Sequence, residues 1–227
     1  MDKLVKYLCI IQARINSSRL PSKVMLDLAG KTLLERVYNT VSKSKKINKI
    51  IVATSNYQQD NIIDLKLKKL GIDCFRGDLN NVLKRFYDAA EIFSPENIVR
   101  VTADNPMMDF KVIDDLIAHY EKSNCDYSTF LGGVYGLSAE VFSRHALRIA
   151  YENSRNDYEK EHVTPYMKSN CMVSNVEIDP EYRHPNIRAS IDTLEDYIKM
   201  QDFYLVCQEE SIDSNIVNYI SYISDSK

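Results

Sequence analysis

A loop of twelve residues, 12–23, carries the side chains with the clearest chemical potential in this chain. It contains Arg14 and Arg19 and ends on Lys23, with small residues in between. Guanidinium and ammonium groups bind phosphate oxygens, and small side chains let backbone N–H groups approach the same ligand. The alternative is a surface loop with ordinary charges. We expect a triphosphate site whose candidate contacts are Gln12, Ala13, Arg14, Ser17, Ser18, Arg19 and Lys23.

Glycine is absent from this loop and scarce in the whole chain. The six glycines among 227 residues form neither a G-x-G-x-x-G pattern nor a P-loop pattern. Both common glycine-built nucleotide loops are therefore excluded, and a nucleotide site here needs a loop of another kind. We expect Asn16 to adopt the left-handed backbone conformation that glycine usually provides.

Two aspartates follow apolar segments that are expected to be strands. Asp104 comes just after residues 97–102, and Asp192 comes directly after residues 187–191. Carboxylates at the ends of strands can converge on one Mg²⁺, which commonly takes one or two of them together with phosphates and water. The alternative roles are a turn cap for Asp104 and a helix cap for Asp192, although Thr193 offers a competing cap.

The elements that must position these residues alternate between short apolar runs and segments of helical period. This alternation predicts an α/β fold, namely a Rossmann-like, mostly parallel sheet with helices on both faces. The loops that follow the strands then lie at one edge of the sheet, where functional residues gather. Strands are predicted at residues 7–11, 49–54, 73–75, 97–102, 126–130, 173–178 and 187–191.

The loop sequence Q-A-R-x-x-S-x-R-L-P-x-K resembles the signature of cytidylyltransferases that activate acylneuraminate and 3-deoxy-octulosonate sugars. The likeness is strongest to their short relatives in spore-coat polysaccharide synthesis. It continues along nearly the whole chain in seven further motifs, at residues 52–54, 75–77, 82–85, 101–106, 136–142, 161–166 and 191–193.

This resemblance implies a CTP-dependent nucleotidyltransferase of the nucleotide-diphospho-sugar transferase type. Such an enzyme transfers CMP to a sugar acid or small phosphorylated acceptor, releases pyrophosphate and serves surface polysaccharide synthesis. Together with the residue chemistry, it implies that Asp104 and Asp192 hold Mg²⁺. It also implies that the catalytic residues are Arg14, Lys23, Asp104 and Asp192, and that the nucleotide contacts include Arg76, Val82, Arg85 and Thr102.

The resemblance also places an acceptor site in the second half of the chain. Residues 131–190 are expected to form an insertion for acceptor binding and dimerisation within one domain, 1–227. Ser138 stands where relatives usually have aspartate, so a different acceptor is expected. Arg85 and the segment around His162 have the alternative of being solvated helix residues. The expected acceptor contacts are Tyr135, Ser138, Glu140, Glu161 and His162.

Charge and cysteine content exclude several other classes of function. A net charge of −3 argues against nucleic-acid or acidic-membrane binding. Five scattered cysteines without a C-x-x-C pattern argue against a disulfide scaffold or zinc site and favour the cytoplasm. The apolar run at residues 8–11 is too short for a signal peptide. We expect a cytoplasmic homodimer; the alternatives are a nucleotidyltransferase using another NTP, a nucleotide-sugar glycosyltransferase and a non-catalytic binding module.

Overall fold

A computed structural model describes residues 4–225 and places a seven-stranded sheet among them. The strands in chain order are β1 (Tyr7–Gln12), β2 (Asp27–Leu28), β3 (Lys31–Thr32), β4 (Lys49–Ser55), β5 (Cys74–Gly77), β6 (Asn97–Thr102), β7 (Tyr127–Leu131), β8 (Glu140–Ser143) and β9 (Val176–Glu177). The helices are α1 (Leu33–Val41), α2 (Asn61–Leu70), α3 (Val82–Phe93), α4 (Phe110–Ser123), α5 (Arg144–Asn153), α6 (Asp157–His162), α7 (Pro165–Asn170), α8 (Leu194–Glu209) and α9 (Ile216–Asp225).

The main sheet has the strand order β5-β4-β1-β6-β8-β7-β9, and β2 pairs only with β3. The pairs β5–β4, β4–β1 and β1–β6 are parallel, whereas β8 runs antiparallel to both β6 and β7. This arrangement confirms the predicted α/β fold with a mostly parallel sheet. The direction of winding reverses between β1 and β6, where Gln12 pairs with Thr102. Open α/β sheets bind their ligands at such a switch point.

The residues of β1 alternate between two hydrophobic cores, one on each face of the sheet. Tyr7, Cys9 and Ile11 belong to one core, and Leu8 and Ile10 to the other. A strand that is buried on both faces needs a continuous apolar run, which is the pattern of residues 7–11. Helices α1, α4 and α8 cover the first core and α3 and α5 the second, so helices do lie on both faces. No helix within residues 4–225 combines the length and apolar character required to cross a membrane.

The second half of the chain differs from the sequence expectation at three places. Residues 187–191 form no strand and make only an isolated bridge from Arg188 to Tyr135. Their backbone forms hydrogen bonds with Tyr135, while the side chains of Ile187, Ala189 and Ile191 are buried in the first core. The strand expected at 173–178 shortens to β9, and β8 is a strand that the pattern did not indicate.

A glycine with a left-handed backbone fixes this contact between the two irregular segments. Gly136 has φ of +100°, and a Cβ there would lie 2.7 Å from the backbone nitrogen of Ser190. Gly71, which ends α2 with φ of +68°, has open space at its Cβ position, since no heavy atom of residues 4–225 other than its chain neighbours lies within 4 Å. A side chain at either glycine would have to adopt an unfavourable positive φ. Only at Gly136 would its Cβ also clash with a neighbouring backbone.

We predict that Gly136→Ala lowers the free energy of unfolding by about 2–4 kcal/mol, because the methyl group displaces the neighbouring backbone. The control Gly71→Ala should cost about 1 kcal/mol, which is the conformational penalty alone. Urea unfolding monitored by circular dichroism measures both values. Equal losses for the two variants would contradict the close approach at Gly136.

Candidate active site

The loop after β1 is anchored by a buried carboxylate rather than by glycine. The backbone N–H of Ile15 donates to Asp60 at 2.8 Å, and Asp60 also accepts from the N–H of Ser55 at 3.0 Å. Ser22 closes the loop by donating to the carbonyl of Ile15 at 2.9 Å. The left-handed residue is Ser22, with φ of 60°, so the expectation for Asn16 is wrong. The chain reverses at Ser22 because a 3₁₀ turn begins there and carries Lys23 inward.

Lys23 brings the two candidate aspartates together. Its buried ammonium nitrogen lies 2.7 Å from Oδ2 of Asp104 and 2.9 Å from Oδ1 of Asp192. It also donates to the carbonyl oxygen of Ile191 at 2.8 Å. Asp104 follows β6 and Asp192 precedes α8. The Nζ atom of Lys23 therefore links the loop after β1 to both of these segments.

Further cations surround Asp192. Arg19 lies 2.9 Å from Oδ1, while Arg188 forms an ion pair with Oδ2 and Ser190 donates to the same oxygen at 3.3 Å. Burial by itself raises the pKa of the Asp192 carboxyl, but Lys23 above all, and then the arginines, lower it below its ordinary value. Asp192 therefore remains ionised at neutral pH.

Helix α8, which follows Asp192, is capped by Thr193 and not by Asp192. The hydroxyl of Thr193 accepts from the N–H of Asp196 at 3.2 Å, and the Asp196 carboxylate accepts from the N–H of Thr193 at 2.9 Å. This reciprocal capping box satisfies the first turn of α8. The side chain of Asp192 is consequently available to the cations and does not serve as the cap.

A cavity of about 270 Å³ opens beside Lys23 at the carboxyl edge of β1 and β6. Asn16, Val24, Ala103, Asp104, Glu161, His162 and Asp192 complete its wall. The expected nucleotide contacts that line it are Gln12, Ala13, Arg14, Ser17, Ser18, Arg19, Lys23, Val82 and Thr102.

Two expected nucleotide contacts lie away from this cavity. Arg76 donates to the carbonyl oxygens of Ser55 and Tyr57, both at 3.0 Å, and to Asn61 at 2.7 Å. Arg85 is fully buried, and none of its side-chain nitrogens has a hydrogen-bond partner among residues 4–225. Burial lowers the pKa of the Arg85 guanidinium to about 10.

A second cavity, of about 520 Å³, adjoins the first. The expected acceptor contacts Tyr135 and Ser138 line it, and His162 lines both cavities. Glu161 instead lies on the wall of the first cavity, where it pairs with Arg14 at 3.0 Å. The wall shared by the two cavities consists of Gln12, Arg19, Thr102, Asp104, His162 and Asp192.

Two adjoining cavities that meet at a pair of carboxylates, which a buried lysine holds together, suit the transfer of a group between two bound molecules. The model of the cytidylyltransferase family matches residues 8–224 of this chain. The chain belongs to the cytidylyltransferase family. It is therefore a nucleotidyltransferase, and the resemblance read from its motifs is confirmed.

Relatives of this cytidylyltransferase match it over most of their length. An uncharacterized protein of Methanocaldococcus jannaschii is 40% identical over 206 residues, covering 88% of this chain and 85% of the relative. The spore coat polysaccharide biosynthesis protein SpsF of Bacillus subtilis is 34% identical over 206 residues, covering 87% and 85%. A cytidylyltransferase structure from Leptospira borgpetersenii superimposes with a TM-score of 0.87 at 28% identity, covering 98% of this chain and 95% of that one.

A more distant structure shares the fold. It is CMP:2-keto-3-deoxy-manno-octonic acid synthetase complexed with CTP, with a TM-score of 0.71 and 16% identity. The match covers 90% of this chain and 99% of that chain.

Glu140 is a buried carboxylate at the centre of a second group of charges in the cytidylyltransferase. Its Oε1 accepts from the hydroxyls of Tyr127 at 2.6 Å and Thr164 at 2.8 Å, and from Lys168 at 2.8 Å. Arg100 donates to its Oε2. Burial by itself raises the pKa of Glu140, but Arg100 and Lys168 bring it down to about 2. The carboxylate therefore stays charged and binds protein donors.

Several residues around the cavities escaped the sequence interpretation. Arg100 lies in a mostly apolar strand. Because a charged residue is buried in such a strand only when it is paired, its presence there could have predicted an anionic partner. Arg188 stacks its guanidinium 4.4 Å from the ring centre of Tyr135 and pairs with Asp192. Neither Arg188 nor Lys168 stands out from its neighbours in sequence, because each acquires its role from residues distant in the chain.

Arg85 offers a direct test of the cost of an unpaired buried cation. We predict that Arg85→Met raises the free energy of unfolding by about 1–3 kcal/mol, since methionine keeps the apolar packing without the charge. The control Arg148→Met, at an exposed position on α5, should change it by less than about 0.5 kcal/mol. Urea unfolding measures both, and a loss of stability in Arg85→Met would contradict the prediction. Titration of the variant with CTP tests its expected nucleotide contact separately.

Proposed function

We propose that this cytidylyltransferase uses CTP, transfers CMP to a sugar acid or small phosphorylated acceptor and releases pyrophosphate. The observation that carries the proposal is the pair Asp104 and Asp192, which lies on the wall between two adjoining cavities and is held together by the buried Lys23. A transfer reaction requires the reacting atoms of two substrates to be held together in one place. The wall between the cavities is suited to that task.

The names of the relatives support the two halves of this proposal. The synthetase of similar fold was solved in complex with CTP, and the Bacillus subtilis relative is named for spore coat polysaccharide biosynthesis. We accordingly assign CTP to the cavity beside the loop after β1 and the acceptor to the cavity beside Tyr135 and Ser138. The product would be a CMP-linked building block for a surface polysaccharide.

Arginine and lysine side chains of this chain would neutralise the negative charge of the triphosphate. Arg14 and Arg19 lie on the exposed side of the loop, and Lys23 lies at its buried end. An oxygen of the acceptor would attack the α-phosphorus while the bond from that phosphorus to the pyrophosphate oxygen breaks. Preorganised cations stabilise the negative charge that develops on the departing group.

The carboxylate pair fits a Mg²⁺ ion that is shared with the nucleotide. No group of three or more His, Cys, Asp or Glu side chains within the described part of the chain is arranged to hold a metal ion. Two carboxylates completed by phosphate oxygens satisfy the usual preference of Mg²⁺. We propose that Asp104 and Asp192 hold the ion, which when bound would neutralise phosphate charge. Arg19, with a side chain 60% exposed, is the Asp192 partner best placed to turn toward phosphate.

This proposal is tested by pyrophosphate release from each of the four NTPs over a panel of sugar acids and sugar phosphates. We expect release with CTP and one acceptor class. Lys23→Ala and Asp104→Asn should each lower the turnover number by about 100-fold or more, because each removes a charge at the transferring phosphate. Lys69→Ala and Asp202→Asn, at exposed positions, serve as matched controls. Preference for another NTP, or wild-type turnover in the site variants, would refute the assignment.

We further propose that the enzyme is a cytoplasmic homodimer joined through residues 131–190. Exposed apolar side chains in this segment, Leu131, Tyr158 and Met172, support a partner surface. The five cysteines are all unpaired, as expected in a reducing compartment.

Sedimentation velocity should give a dimer, and Tyr158→Glu together with Met172→Glu should dissociate it. A monomeric wild type would contradict the proposal.

A further inference from the structure

The acceptor cavity has a side compartment lined by two cations. This compartment has a volume of about 280 Å³ and shares Arg100, Thr102, Phe130 and Ser138 with the larger cavity. Thr129, Glu140 and Lys168 complete it. We call it the cationic end of the acceptor cavity.

The only carboxylate among these lining residues is already bound by the protein. An ionised carboxylate has about four positions at which it accepts hydrogen bonds, about two on each oxygen. Tyr127, Thr164 and Lys168 all donate to Oε1 of Glu140, and Arg100 donates to Oε2. Since little more than one position on Oε2 remains, Glu140 is a poor contact for the acceptor molecule. Its role is to hold the two cations.

The two cations, in contrast, retain donors. Arg100 directs Nε and Nη2 to the side-chain oxygen of Gln12, both at 3.2 Å, and Nη1 to Glu140. Two of its five N–H groups are left, and Lys168 has two left after its bond to Glu140. Two positive charges against one negative charge leave the cationic end with a net charge of +1. Hydroxyls of Thr102 and Ser138 add neutral donors, whereas the Thr129 hydroxyl already donates to the carbonyl oxygen of Ala139 at 2.9 Å.

We propose that the cationic end binds the oxyanion of the acceptor, either the carboxylate of a sugar acid or the phosphate of a sugar phosphate. This inference rests on the proposed function and adds Arg100 and Lys168 to the residues that select the substrate. Ser138 lies where both cavities meet and is exposed. An aspartate at this position would cancel the net charge of the cationic end, whereas serine leaves it at +1.

An anion at this position is also connected to the wall where transfer would take place. Arg100 has no acceptor atom, so Gln12 must present its oxygen to Arg100 and keep its amide N–H₂ as a donor. Gln12 lines both cavities. The acceptor, held at one end by Arg100 and Lys168, would therefore extend along Thr102 and Gln12 toward Asp104.

The experiment titrates pyruvate and inorganic phosphate separately into the protein and follows backbone amide shifts by nuclear magnetic resonance. CTP and Mg²⁺ are present at saturation, so that phosphate cannot occupy the triphosphate loop. We expect at least one anion to shift the amides of Thr129 and Ser138 with a dissociation constant on the order of 1–10 mM. Tighter binding of pyruvate would indicate a sugar acid, and tighter binding of phosphate a sugar phosphate.

Two variants and two matched controls locate the binding. Lys168→Met keeps the side-chain stem but removes one charge, and Ser138→Asp adds a negative charge at an exposed position. Each should weaken the anion about tenfold or more, as expected when a charge-assisted contact is lost or opposed. Ser138→Asn changes size without charge, and Lys160→Met removes a lysine of α6 that lines none of these cavities. Both controls should stay within about twofold of the wild type.

The proposal is overturned if neither anion binds, or if Lys168→Met and Ser138→Asp bind as well as their controls. CTP affinity, measured by calorimetry on the same samples, reports separately on the proposed function. If CTP does not bind, the pyruvate titration of the CTP-free protein still decides whether the cationic end holds an anion.

Discussion

The ammonium group of Lys23 is the contact on which the rest of the site depends. Asp104 and Asp192 come from distant parts of the chain, and two carboxylates at such a short separation repel each other unless a cation lies between them. A buried cation likewise needs its anionic partners, because desolvation of a lone charge costs several kcal/mol. Lys23 and the two aspartates therefore stabilise one another. Their contacts hold the loop after β1, the end of β6 and the start of α8 in one arrangement.

The topology of the sheet decides where that ammonium lies. β1 and β6 are neighbours because the winding direction reverses between them, which brings Gln12 beside Thr102. The loop after β1 crosses this edge without glycine. The buried Asp60 carboxylate fixes the loop by accepting hydrogen bonds from the backbone N–H groups of Ile15 and Ser55. A side chain therefore holds this loop, whereas glycine-built loops depend on backbone conformations that glycine adopts easily.

The two charge clusters, each formed around a buried central group, have opposite composition. Lys23 is a cation between two carboxylates, whereas Glu140 is a carboxylate between two cations. β6 serves both, since Arg100 belongs to the second cluster and Asp104, just after the strand, to the first. In each cluster the central group is neutralised by the protein, and the outer groups line the cavities. This division places carboxylates where a metal-bound phosphate would lie and cations where an acceptor anion would lie.

Local pattern was sufficient for the fold and for part of the site. The alternation of buried strands with helical segments predicted the parallel sheet, because continuous apolar runs and the helical period of 3.6 residues are both visible among neighbouring positions. Asp104 and Lys23 could be singled out from their residue types and from their positions after strands. Residues 187–191 were wrongly predicted as a strand because Ile187, Ala189 and Ile191 are buried in the core as strand residues would be. Their backbone makes only an isolated bridge with the loop at residue 135, and sequence pattern does not reveal the backbone partner. Burial of Arg85 and the pairing of Glu140 with Arg100 and Lys168 arose only in the folded chain, since the energy of a buried charge depends on neighbours far away in sequence.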